Sequence, residues 1–468
     1  MDNAAFQRRG FLKGALSVAA IASVGGLSAC AAGGSGGGGG GSAETGDVTE
    51  DNPFGLGENT EVEAVIFNGG YGVDYCVFAG EVVTKKFPTV KVTVTPSTQI
   101  AQELQPRFVG GNPPDVIDNS GAGAMSTAQI LDQLAEVGDI LEANNYEGTK
   151  IADTLYPGVV EAGTYGGKFV QLNYVMAAYG IWYSDSLFKE NGWTPPKTWA
   201  EALELSAAAK EAGKYLFLFG KEAATYYNTL CIDSAIMEGG QEVRLNLENL
   251  KPGAWSQEPL QEAFNGLKAI IDAGGMKPGG SGTQFTNAQA QWSDGQEALL
   301  YPSGSWIENE MADATAEGFD MTVAPTPTVS DSPAAGDALH ASPGEGFILP
   351  AQAANPAGAK EFMRAMLSKE AATNFAQLTK SPTVVMDTVP EDGFGSKALQ
   401  GLNAMLSAAG DQVYPLRFSS YYGLNTDQLV LWNDFLEGRM DVPTLTEGLQ
   451  GIADAKANDP NVEKIEFE

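Results

Sequence analysis

One histidine, three cysteines and 59 carboxylates among 468 residues bound the chemistry this chain can do. His340 stands alone, so a multi-histidine zinc centre is excluded. A Ser-His-Asp relay would also have to use His340. That residue lies in Ala338-Leu339-His340-Ala341-Ser342-Pro343, which reads as a surface loop. With so many acids, some carboxylate pair falls at the roughly 5–10 Å of a glycoside hydrolase by chance, so acid count argues for no reaction. Thr164-Tyr165-Gly166-Gly167-Lys168 lacks the spacing of a phosphate-binding loop, and Asn68-Gly69-Gly70-Tyr71-Gly72 is too short for a dinucleotide turn. No catalytic residue, metal site or cofactor is assigned. The remaining candidates by position are polar and aromatic side chains at expected strand ends, Tyr71, Asp118 and Asn119. Tyr226-Tyr227-Asn228, at the start of a helix, reads as packing.

The elements that position these residues follow from periodicity. Glu61 to Phe67 is strand-like, a helical stretch runs to Lys86, and Val90 to Val94 alternates as a strand. An amphipathic helix from Ile100 to Val109 leads through Gly-Gly-Asn-Pro-Pro to the strand Asp115-Val116-Ile117. This β-α-β-α-β order predicts a parallel sheet with helices on its faces, and ligands beyond the C-terminal strand ends, where Asn68–Tyr71 and Asp118–Ser120 fall. A second strand-rich passage spans Lys168 to Tyr183, a helix follows from Thr198 to Ala212, and Tyr215 to Phe219 restarts the alternation. The strand from Ala298 to Tyr301 ends in Pro302-Ser303-Gly304-Ser305-Trp306. Pro325 to Pro343 reads as a loop, and the remainder is mostly helical.

Arg8-Arg9-Gly10-Phe11-Leu12-Lys13 and the weakly apolar stretch to Ala29 read as a twin-arginine-type export signal, too short for a membrane span. Leu27-Ser28-Ala29-Cys30 resembles a lipobox, so residues 1–29 are expected to be removed and Cys30 to carry the lipid. Residues 30–57, rich in glycine, form a tether with a span of roughly 5–6 Å × √n. The expected location is the extracellular face of the cell membrane. The formal charge of −32 disfavours nucleic acid and anionic lipid alike, so the Cys30 lipid must supply any membrane attachment.

About 410 folded residues exceed one growing core, so two lobes are expected. The N-terminal lobe takes 58–176 and 346–384, and the C-terminal lobe takes 177–345 and 385–468. Crossings fall at Ala177–Gly180, Gly344–Gly346 and Ser381–Val384. Cys76 and Cys231 then lie in different lobes and read as free buried thiols rather than a bridge.

Ile181-Trp182-Tyr183-Ser184-Asp185-Ser186-Leu187-Phe188, followed by Gly192-Trp193-Thr194-Pro195-Pro196-Lys197-Thr198-Trp199-Ala200-Glu201, resembles the signature of family 1 extracellular solute-binding proteins of sugar ABC transporters. Ser184 stands where that family usually has Asn. Gly111 to Ile117, Gly295-Gln296-Glu297-Ala298 before Gly304-Ser305-Trp306, and Gly344-Glu345-Gly346-Phe347 follow in family order. Gly111 to Ala122 and Asn191 to Trp199 are most similar to the N-acetylglucosamine- and chitobiose-binding lipoproteins of Gram-positive bacteria. The resemblance implies an α/β, two-lobed periplasmic-binding-protein-like (type II) fold with a sugar cleft between lobes. It implies no enzyme activity, a monomer, an oligosaccharide ligand, and a membrane permease driven by a separate ATPase. It makes Trp306 the stacking tryptophan, Asp118 or Asn119 the polar position after the third strand, and Glu345 a carboxylate for sugar hydroxyls. Tyr71, Tyr421, Tyr422 and Asn425 join by location. A sugar offers apolar C–H faces rimmed by hydroxyls, which suits aromatic plates among polar groups. Another oligosaccharide, or a secreted glycoside hydrolase, is the alternative.

Overall fold

The computed structural model describes residues 45–121 and 123–467. The export signal, Cys30 and the first part of the tether lie outside the described residues. Chain order opens as β1 (Glu61–Phe67), α1 (Asp74–Lys86), β2 (Lys91–Ser97), α2 (Ile100–Val109) and β3 (Val116–Asp118). β1 pairs in parallel with β2 and with β3, so the expected βαβαβ unit forms. β1 is buried at Val62 and from Ala64 to Ile66 because α1 covers one face and α2 the other.

Next come a one-turn helix α3 (Val159–Ala162), the hairpin β4 (Thr164–Tyr165) and β5 (Lys168–Phe169), and β6 (Gln171–Ser184). β7 (Tyr215–Phe217), α4 (Tyr226–Gly239), β8 (Ala298–Gly304), β9 (Met321–Ala324) and β10 (Leu339–Ile348) follow. The chain finishes with α5 (Pro356–Met366), α6 (Lys369–Thr379), β11 (Val413–Tyr414), α7 (Phe418–Tyr421), α8 (Leu424–Leu436) and a last helix at Val442–Asn458. Two helix starts explain pieces of the signature. Ser184 accepts the Leu187 N–H at 3.1 Å and so caps the helix Asp185–Asn191, work that Asn would do equally well. Thr198 accepts the Glu201 N–H at 3.2 Å, while Glu201 takes the Lys197 N–H at 2.6 Å, which fixes the start of the helix Trp199–Glu211.

A nine-stranded mixed sheet runs in the order β2-β1-β3-β10-β6-β8-β7, with β11 beside β10 and β9 beside β6. β6 changes partner along its length. Gln171 to Ala178 pairs with β10, and from Tyr179 on it pairs with β8 and β9. The third passage lies alongside: Val384 N–H donates to Tyr174 O at 2.9 Å, and Met176 N–H to Pro382 O at 3.0 Å. This is a two-lobed α/β fold. One apolar cluster reaches from Ile66 and Phe375 through Phe347 to Trp182 and Trp292, and a second surrounds Phe217, Phe264 and Trp432. Cys76 and Cys231 are both buried and free.

Two expectations fail here. The end of the expected tether is packed, with Leu56 buried in the first cluster and the Asn52 amide bonded to both backbone groups of Leu56. Residues 339–343 are strand rather than loop, because β10 pairs with β6 from Ala341 to Ile348, with β11 at Leu339 and His340, and with β3 at Phe347 and Ile348. That pairing overrides the turn signals of Pro343 and Gly344.

Candidate functional site

A cavity of about 260 Å³ lies where β6 changes partner. Tyr165 of β4 and Gln171 and Asn173 of β6 line one side. Tyr179, Thr229 of α4, and His340 and Ser342 of β10 line the other. Arg417, Ser420 and Asn425 complete the lining. A void of about 10 Å³ adjoins it behind Tyr179, room for about one water. Larger surface grooves of about 440 and 790 Å³ run along Pro195–Thr198 and along the free edge of β2, but no aromatic ring lines either. The 260 Å³ cavity combines rings with amide and hydroxyl groups.

The rings are held in a stack. Tyr179 lies flat on His340, centroids 4.1 Å apart and planes at 6°, and His340 lies over Tyr414 at 5.7 Å and 11°. His340 is buried, which corrects its reading as a surface residue. Its Nδ1 is 3.1 Å from Asp233 Oδ1, its Nε2 is 2.9 Å from Ser342 Oγ, and the Tyr414 hydroxyl donates to Asp233 at 3.1 Å. Ser-His-Asp in this order is the sequence of a hydrolytic relay. Here the Ser342 hydroxyl also accepts the Leu416 N–H at 3.1 Å, and the imidazole is sandwiched between two phenol rings. The network therefore fixes Tyr179 and the 414–416 segment in place.

Trp306 follows the end of β8, half-buried, and meets Tyr179 edge to face at 5.5 Å and Tyr226 at 5.9 Å. Its indole folds back over Gly304, where a β-carbon would stand 2.0 Å from the ring. Glycine is required there by that close approach.

Asp118 and Glu345 face each other at the C-terminal end of β3. Asp118 is fully buried. Burial pushes its pKa up to about 6, against hydrogen bonds from Ser120 and Glu345. Glu345 is half-buried as a residue, but its carboxyl is enclosed. Burial first, then the charge of Asp118, holds its pKa well above the carboxylate range. The two titrations are linked: Glu345 as a donor lowers Asp118, and the charge of Asp118 raises Glu345. Ser120 Oγ donates to Asp118 at 2.5 Å and accepts the Gly346 N–H at 2.9 Å, while Asp118 Oδ2 is buried with no hydrogen-bond partner among the described residues. Glu345 sits at φ 51°, the left-handed region, inside a strand. That conformation costs a non-glycine residue on the order of 1 kcal/mol and persists because the ladder on either side fixes it.

The other candidates separate by position. Asn425 is exposed and lines the cavity. Asn119 spends its amide on both backbone groups of Met125, at 2.8 Å each, and so shapes the 120–125 loop. Tyr71 is buried, its hydroxyl 3.3 Å from Ser305 Oγ and its ring against Phe375. Tyr422 is buried in the second cluster, where its hydroxyl accepts the Ile465 N–H at 3.4 Å. Tyr421 is half-buried and stacks on Tyr165. The sequence reading missed Tyr165, Asn173, Tyr179 and Arg417. Asn173 interrupts an apolar run from Leu172 to Ala178, which is a usable signal; Arg417 carries none.

The model of the bacterial extracellular solute-binding protein family matches residues 78–373. The diacetylchitobiose binding protein NgcE of Streptomyces coelicolor is 53% identical over 98% of this chain and 97% of its own length. Among solved structures, a chitin oligosaccharide binding protein superposes with a TM-score of 0.69 at 16% identity, covering 86% of this chain and 100% of that one. The protein RafE in complex with raffinose superposes with a TM-score of 0.66 at 18% identity, covering 85% and 99%. At those identities the structural likeness speaks for the fold. With sequence and architecture in agreement, this chain belongs to the bacterial extracellular solute-binding protein family.

Proposed function

We propose that the protein captures N-acetylglucosamine/chitobiose-type oligosaccharides in the 260 Å³ cavity and delivers them to an ABC permease driven by a separate ATPase. The observation that carries this reading is the cavity itself: Tyr179, braced by His340, beside Trp306 and rimmed by Asn173, Gln171, Thr229, Ser342 and Asn425. Near-full-length likeness to a diacetylchitobiose binding protein supports the choice of sugar. Tyr179 is the apolar plate inside the cavity, and Trp306, which lies outside its lining but packs edge to face on Tyr179, supplies the second as sugar enters. The Asp118–Glu345 pair sits beneath the floor at Gly344 and sets the course of β10 rather than meeting sugar directly. Asn119, Tyr71 and Tyr422 act as supports, and Tyr421 guards the mouth.

The lobes divide at 58–176 with 346–384 and 177–345 with 385–468, and rotate about the partner change in β6. The mature chain is a monomer held by the Cys30 lipid on the extracellular face of the membrane, and it binds without turnover. Calorimetric titration against N-acetylglucosamine, chitobiose, maltose, xylobiose and cellobiose tests the reading. Chitobiose should bind most tightly and be recovered intact. Tighter binding of a non-acetylated sugar, or release of monosaccharide, would reject it.

A further inference from the structure

Two contacts bridge the mouth of the cavity. Arg417 Nη2 donates to Glu161 Oε1 at 2.7 Å, and Nη1 to the Glu161 carbonyl at 3.4 Å. Beside them the Tyr421 ring lies over Tyr165 at 6.1 Å and 12°. Glu161 and Tyr165 come from α3 and β4, ahead of β6. Arg417 and Tyr421 come from the segment after β11. Each contact therefore joins parts of the chain that meet across the cavity.

The Arg417 side is built in advance. Its backbone N–H donates to Glu248 at 2.7 Å, Glu248 is buried and paired with Arg244 at 2.7 Å, and the guanidinium lies 4.5 Å over the Phe467 ring. The Arg417 side chain is 16% exposed against 56% for Glu161. A guanidinium already held by ring and backbone loses little further freedom on pairing. Glu161 does not line the cavity, although its neighbour Ala162 does.

We propose that Glu161–Arg417 is the latch of the cleft, an ion pair that sets the affinity for an uncharged sugar by favouring the closed mouth. This rests on the sugar-binding reading. The cavity is smaller than the roughly 300–1,000 Å³ usual for ligand sites, so sugar entry requires the mouth to part and the latch to re-form over the ligand. Apparent affinity scales with the fraction of molecules that can close. A partly exposed pair changes that fraction by about 1.5- to 5-fold. Because the pair is ionic, affinity for a neutral sugar should fall with salt, as the screening length shrinks from about 10 Å at 0.1 M to about 3 Å at 1 M.

The test is titration of chitobiose into wild type, Glu161→Gln, Arg417→Gln and the double variant at low and high salt. Glu161→Gln should raise Kd about 1.5- to 5-fold and abolish the salt dependence. Adding it to Arg417→Gln should change nothing further. Unchanged or tighter binding by Glu161→Gln, or salt-independent binding by wild type, overturns the latch. A sugar-free readout runs in parallel: the pulsed-EPR distance between labels on Val160→Cys and Ser420→Cys, in a Cys30→Ala background, where the buried Cys76 and Cys231 escape labelling. Glu161→Gln or high salt should shift the distribution to longer distances, and no shift overturns the latch. If wild type binds no chitobiose while the distance still responds to salt, the sugar reading fails and the latch stands.

Discussion

Replacing Glu345 by Gln should make the protein more stable at neutral pH, although it alters a buried residue. Asp118 is raised from 3.8 to about 6, and Glu345 well above the usual carboxylate range, because both are enclosed and face each other. A raised carboxyl pKa means that the folded state holds its proton more tightly than the unfolded chain. Stability is therefore greatest below the unfolded pKa, near 4, and is lost as pH rises through the folded pKa. For Asp118, a rise of about 2 units is worth about 3 kcal/mol by pH 7, most of it lost between about pH 4 and pH 6. The titration belongs to the pair rather than to either residue. Gln at 345 keeps a donor facing Asp118 and removes one ionisation together with its repulsion. Wild type and Glu345→Gln should therefore melt alike below about pH 4.5 and diverge progressively above it. Removing a rise like that of Asp118, about 3 kcal/mol, is worth about 3–4 °C in roughly 410 folded residues at about 2.1 cal/mol/K each. Scanning calorimetry across that range reads the difference, and subtraction cancels the general self-repulsion of a −32 chain. Parallel profiles, or a variant that loses stability as pH rises, would refute the coupled pair.

The other expectations concern the plate, its bed and the anchor. Trp306→Ala should weaken chitobiose binding at least tenfold while melting stays cooperative, since removing a buried aromatic contact typically costs about 2 kcal/mol or more; an unchanged Kd would place the indole outside the sugar site. Gly304→Ala should have a related effect without touching the ring, because a β-carbon 2.0 Å from the indole must displace it. Tryptophan fluorescence should shift together with the loss of affinity, and a shift without that loss would separate Trp306 from binding. Cys30→Ala should release the protein into the medium, and retention on membranes after a salt wash would exclude the lipid anchor.

The parallel βαβαβ unit was legible because its information is local: alternation in β1, amphipathic α2, and glycine and proline between them. The chain positions of Asp118, Trp306 and Glu345 were legible for the same reason, since each follows or interrupts a strand in a motif readable within ten residues. The direction of a side chain is a different quantity. Tyr421 and Tyr422 are adjacent, yet one ring stacks across the cavity mouth on Tyr165 and the other is buried beneath the C-terminal segment at Ile465. Nothing local separates them. His340 read as a loop residue because Pro343 and Gly344 follow it. Its burial comes from Asp233, 107 residues earlier, and from the strand pairing of β10 on both sides. The latch is the extreme case: Glu161 and Arg417 lie 256 residues apart, on a one-turn helix and just ahead of another. Such pairs join segments far apart in the chain, so they leave no trace in periodicity. In the proposed latch they are also what sets how far the two sides of the cavity open, and one sequence can place Trp306 after its strand without showing what crosses the mouth.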